Sequence, residues 1–150
     1  MSFMDDYTPM LDSFEKTLLE YAYELIHTQY LTEEGLKTLR KETEDYADDN
    51  IGTFGVECLQ VIRLYKFAKR IRDLLELKQK TDLESDDWYT KVKVTADSSG
   101  QLHIVNPMLT RVKRIYNRCQ DLVEEKVRDD QEKADRDRRM SIDLHRARTP

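Results

Sequence analysis

Arg111, Arg114 and Arg118 recur at steps of three and four residues, the spacing that puts side chains on one face of a helix, with Lys113 at its flank. A comb of cations in this pattern can span successive phosphates. Lys91 and Lys93 lie in a stretch, Tyr89 to Thr95, that alternates with the period of two expected of a strand. They would share one strand face and extend the patch, with His103 nearby if a hairpin closes. Lys66, Lys69 and Arg70 form a second basic cluster on a helical segment. The comb has two readings, phosphate contact and a solvated or intersubunit face. Glu124, Glu125, Asp129 and Asp130 follow closely, so DNA binding would need many copies acting together.

Catalytic chemistry finds little to work with. His27, His103 and His145 are scattered, and no HxxxH or HExxH spacing places two imidazoles on one metal. Glu42 to Asp45 and Asp48-Asp49 can attract a divalent ion but lack the glycine and loop spacing of an EF-hand, so a solvated surface is the better account. GxGxxG, GxxxxGK[ST] and GxSxG are absent. Cys58 and Cys119 are lone thiols on apolar stripes and read as small buried side chains. The residues imply no enzyme, no cofactor and no metal.

The elements that must position these residues are mostly helices. Four Gly and three Pro in 150 residues leave little turn chemistry. Thr8-Pro9 reads as an N-cap and first-turn proline, opening a helix to about His27 with Leu11, Phe14, Leu18, Tyr21 and Leu25 inside. Thr32 with Glu33 and Glu34 opens a second, with Leu36, Leu39 and Tyr46 inward, fraying near Asp48 to Asn50 into a loop through Gly52 and Gly55. From about Val56 to Lys78 the apolar arc is wide, which makes this the central helix. A polar connector, 82–87, leads to the hairpin, whose turn is Asp97 to Gly100 and whose return strand is Leu102 to Val105. Such a hairpin is marginal alone and must pack on helices or on copies of itself. Asn106-Pro107 then caps the longest helix, whose stripe of Leu109, Val112, Ile115 or Tyr116, Cys119, Leu122 and Val123 stops after Val127. Residues 128–139 read as a charged helical extension, and Ser141 to Pro150 as a flexible basic tail.

The fold expected is therefore mainly α: one helical domain over 1–128, with a hairpin near 89–105 before a long C-terminal helix, then an extension over 129–150. Composition agrees, since 39% hydrophobic against 37% charged residues favours solvated helices with narrow stripes, a partner completing the burial. No window approaches a bilayer span, and Met1 to Tyr7 carries two Asp where a signal peptide would be basic, so a non-secreted protein without membrane contact is expected. The net charge of −5 conceals an asymmetry: residues 1–50 hold 4 Lys/Arg against 13 Asp/Glu, whereas residues 51–150 hold 21 against 17. Phosphates are repelled by the first half and attracted by the second. The acidic half is either a solvated exterior or a dock for a basic partner.

Over roughly residues 30–128 this organisation resembles the small subunit of tailed-phage terminases. The resemblance is carried by Leu59 to Tyr65 with Ala68 and Ile71, then Ser99-Gly100, then Val105-Asn106-Pro107-Met108-Leu109. The chain departs from that pattern at its end, where Glu124 to Arg139 continues as charged helix in place of a Gly-Leu-Thr-Pro-like turn. The resemblance implies a non-enzymatic, ring-forming homo-oligomer in the host cytoplasm that recognises double-stranded viral DNA and presents it to the large terminase subunit. Arg111, Lys113, Arg114 and Arg118, then Lys66, Lys69, Arg70, Lys91 and Lys93, are its candidates for DNA or intersubunit contacts. The tail, with Arg136, Arg138, Arg139, Arg146 and Arg148, is the candidate dock for the large subunit. The alternative is a helical adaptor acting through protein contacts alone.

Overall fold

The computed structural model describes residues 3–148, excepting the side chains of 144–148. Its elements are α1 (Thr8–His27), α2 (Glu33–Asp49), the single turn α3 (Ile51–Phe54), α4 (Leu59–Glu84), the single turn α5 (Trp88–Lys91), β1 (Lys93–Ala96), β2 (Leu102–Val105) and α6 (Pro107–Arg148). This is a mainly helical fold with a two-stranded hairpin before a long C-terminal helix. No helix among the described residues is long and apolar enough to cross a membrane.

Helix α4 is the centre, packing against α1, α2 and α6. Its wide arc is buried as Val61, Ile62, Leu64, Phe67, Ala68, Ile71 and Leu75. Leu11, Phe14, Leu18, Ala22 and Leu25 of α1 and Leu36 and Leu39 of α2 close over it. Leu109, Val112, Ile115, Cys119 and Leu122 of α6 complete one apolar cluster. Steps of three and four residues keep each stripe on one face, so α1, α2, α4 and the first half of α6 turn their apolar sides into one core.

Side-chain caps fix the starts of α2 and α6. The Thr32 hydroxyl accepts from the Gly35 amide at 2.9 Å, and the Asn106 side-chain oxygen accepts from the Leu109 amide at 3.1 Å. Gly55, at φ +88°, supplies the left-handed backbone between α3 and the 3-10 turn Val56–Cys58 that leads into α4.

Several boundaries differ from the sequence reading. Thr8 is helical and does not cap: a 3-10 turn at Asp5–Tyr7 precedes it, and its hydroxyl donates back to the Met4 carbonyl at 3.5 Å. The loop expected at Gly52 is the helical turn α3. Helix α4 runs to Glu84, which takes in the start of the expected polar connector and buries Asp82 against Lys78 at 2.7 Å. The strand expected from Tyr89 begins at Lys93, because Trp88–Lys91 closes a helical turn in which the Thr90 hydroxyl donates to the Asp87 carbonyl at 2.7 Å. Lys91 and Lys93 therefore do not share a strand face. Finally, α6 continues unbroken through Ser141 to Arg148, where a flexible tail was expected.

Candidate assembly and phosphate-contact surface

The hairpin has one chemical peculiarity that its register exposes. Val94 pairs with Ile104 and Ala96 with Leu102, while Lys93 pairs with Val105 and Thr95 with His103. Opposed residues share a face and faces alternate along each strand. One face is thus wholly apolar (Val94, Ala96, Leu102, Ile104), and the other carries Lys93, Thr95 and His103. The apolar face is largely exposed, most of all at Leu102 (70%), while Ile104 borders a cleft with Leu25 and Leu75. Trp88 and Tyr89, just ahead of the strands, are exposed as well. The strand pattern put Lys91 and Lys93 on one face but did not pair the two strands across the turn. Counting outward from Asp97 and Gln101, whose main chains are joined at 2.9 Å, would have found the four-residue patch.

The turn that sets this register is built around one carboxylate. Asp97 Oδ1 accepts from the Ser99 amide at 2.9 Å, the Ser99 hydroxyl at 2.6 Å and the Gln101 amide at 2.9 Å, and Oδ2 lies 2.9 Å from His103 Nε2. These bonds, led by the Ser99 hydroxyl and then His103, hold the carboxyl down at about 2. Gly100 closes the turn at φ +82°. At the hairpin's far end the Asn106 amide nitrogen reaches Gln79 Oε1 at 3.4 Å, which ties the return strand and the start of α6 to α4.

On α6 the basic comb is divided. Arg111 and Arg114 are exposed, and among the described residues no carboxylate pairs with either. Arg118 is half-buried, paired with Glu125 at 3.4 Å and stacked 5.6 Å above the Tyr7 ring. Lys113 lies on the opposite flank of the buried stripe, 3.8 Å from Glu76 of α4. The three arginines do share a flank, but only two point their charge outward.

The second cluster is engaged with the acidic half of the chain. Lys66 sits 4.9 Å over the Tyr46 ring, Arg70 pairs with Glu42 at 3.5 Å, and Lys69 is half-buried beside them on α4. Part of the acidic surface of α2 is thus matched inside the molecule. Lys91 pairs with Asp87 at 3.5 Å, and Lys93 is exposed on the polar face of the hairpin. Arg136, Arg138 and Arg139 are exposed on the projecting end of α6, Arg138 with Asp135 at 3.4 Å. The side chains of His145, Arg146 and Arg148 lie outside the described residues.

No group of three or more His, Cys, Asp or Glu among the described residues can hold a metal. Burial pushes the Cys119 thiol up to about 12 and raises that of Cys58, the opposite of an activated nucleophile. Tyr65 and Tyr116 stack at 4.7 Å with their hydroxyls 3.0 Å apart, under Arg72 at 4.8 Å from the Tyr116 ring. Their shared hydrogen bond, with burial behind it, pushes the Tyr65 hydroxyl up to about 12. That pair locks α4 to α6. Beside it lies a groove of about 580 Å³ lined by Tyr46, Phe54, Ile62, Tyr65, Val123 and Val127, which the sequence reading did not foresee. Its walls come from α2, α3, α4 and α6, and no single stripe shows it. The chain matches no family model, no curated protein and no solved structure.

Proposed function

We propose that this chain is a non-catalytic, self-associating DNA-recognition subunit of the terminase small-subunit kind, which presents double-stranded viral DNA to a large packaging subunit in the host cytoplasm. The observation that carries the reading is the largely exposed apolar face of Val94, Ala96, Leu102 and Ile104 on the hairpin. A two-stranded sheet with one dry face gains its stability from a cover, and a further copy in a ring supplies one. Arg111 and Arg114 then repeat around the assembly, which multiplies a contact too small to hold DNA in one copy. The projecting end of α6, with Arg136 and Arg139, offers the large subunit a charged docking element.

A second reading, a helical adaptor working only through protein contacts, is favoured by one set of observations. Lys113, Arg118 and Arg70 are each paired with a carboxylate of the same chain. A DNA titration over salt separates the two. The first predicts affinity that falls steeply with salt, and a double variant Arg111→Ala/Arg114→Ala whose salt slope is smaller by roughly one per arginine and copy in contact. Intact self-association with no DNA binding at low salt selects the adaptor.

A further inference from the structure

Beyond Val127 the helix α6 leaves the bundle, and residues 130–143 are exposed throughout. At 1.5 Å per residue the stretch from Asp130 to Arg148 projects about 28 Å. Its groove-side face is not uniformly polar. Val127, which lines the groove, is followed by Ala134 and Ile142 at steps of seven and eight, within an arc of about 100° that also takes in Val123, Gln131 and Arg138. Ile142 is 50% exposed, so this stripe carries a large apolar side chain with nothing over it. Arg136 falls on the other side of the helix and Arg139 outside the arc, at its flank.

Charge along the same helix is split by position. Residues 121–131 hold Asp121, Glu124, Glu125, Asp129 and Asp130 against Lys126 and Arg128, a net of −3. Residues 138–148 hold four arginines against Asp143, a net of +3. An antiparallel pair of such helices centred near Ala134 sets each basic block against the other copy's acidic block. A parallel pair sets like against like, which repels. The same antiparallel alignment places Ile142 of one copy opposite Val127 of the other, at the mouth of the apolar groove.

We propose that two copies of this chain pair antiparallel through their projecting α6 ends, Ile142 of each entering the groove of Tyr46, Phe54, Ile62, Tyr65, Val123 and Val127 of the other. The contact is isologous, so both grooves fill at once. It uses a surface separate from the hairpin and leaves Arg136 outward and Arg139 at its flank. The proposal rests on the reading of the chain as self-associating and adds a second, two-fold contact to it.

Cysteine cross-linking of the full chain tests it, because the native thiols are buried. Under mild oxidation Ala134→Cys, close to the two-fold axis, should form a covalent dimer in high yield. Ile142→Cys should not, since in an antiparallel pair the two positions 142 lie about 22 Å apart along the axis. Efficient cross-linking of Ile142→Cys to itself overturns the antiparallel alignment, and failure of Ala134→Cys overturns the contact. Ile142→Asp should abolish the Ala134→Cys cross-link while leaving the thermal midpoint of the bundle unchanged. Val94→Asp/Ile104→Asp keeps the two surfaces distinguishable. It should reduce the size of the assembly and leave the Ala134→Cys cross-link intact. A wild-type oligomer without the Ala134→Cys cross-link rejects this contact alone, whereas a wild-type monomer rejects both.

Discussion

Cys119 shows how burial decides the character of a side chain. It is fully enclosed between α4 and α6, and its thiol, pushed up to about 12, stays protonated under all ordinary conditions. Thiol reagent at pH 8 should therefore label neither Cys119 nor Cys58 in the folded protein and both on unfolding. Fast labelling of the native chain would contradict the packing. The Tyr65 hydroxyl is likewise held up to about 12 by its bond to Tyr116. A proton held more tightly in the folded state contributes stability that is complete below the ordinary tyrosine value near 10 and is lost as pH rises toward about 12. Tyr65→Phe should cost about 1 kcal/mol near neutrality and flatten this alkaline loss, as read by chemical denaturation across pH. Arg118 illustrates the reverse lesson about charge. Its spacing with Arg111 and Arg114 is legible in the sequence, and Glu125 lies two turns on along the same helix, but its stacking on Tyr7 depends on how α6 meets the N-terminal turn.

Among the elements, the hairpin depends most on one residue. Asp97 bonds two amides, a hydroxyl and an imidazole, and its carboxyl is held down at about 2. A depressed carboxyl contributes stability that is present above its unfolded value, near 3.8, and is lost as pH falls from there to about 2. The amide proton chemical shifts of Ser99 and Gln101 should be constant near pH 5 and move across that acid window, and Asp97→Asn should remove the transition. At the other end of the hairpin, Asn106→Ala removes the cap of α6 and should cost about 1 kcal/mol. The same elements show what was readable beforehand. The stripes of α1, α4 and α6 and the caps at Thr32 and Asn106 are local patterns, and they stand in the structure at those residues. Trp88–Lys91 is different, since Tyr89, Thr90 and Lys91 begin the period-of-two alternation that runs on to Thr95. The helical turn there is set by Ser85 and Asp87 hydrogen bonds and by packing on α4. The groove escaped for the same reason: its walls come from four elements far apart in sequence.

For the molecule as a whole, the bundle closes its own core and leaves two surfaces unfinished. Leu75→Ala or Leu122→Ala, both almost fully buried, should destabilise the fold by about 2–5 kcal/mol without removing a charge from either surface. The unfinished surfaces are the dry face of the hairpin and the projecting stripe of α6, and covering them with further copies is the core of the functional reading. Sedimentation at micromolar concentration of the full chain, wild type beside Val94→Asp/Ile104→Asp, is the most direct measurement. A closed oligomer is expected for the wild type and a smaller species for the variant, with unchanged helix content. A wild-type protein that sediments as a monomer would contradict the functional reading.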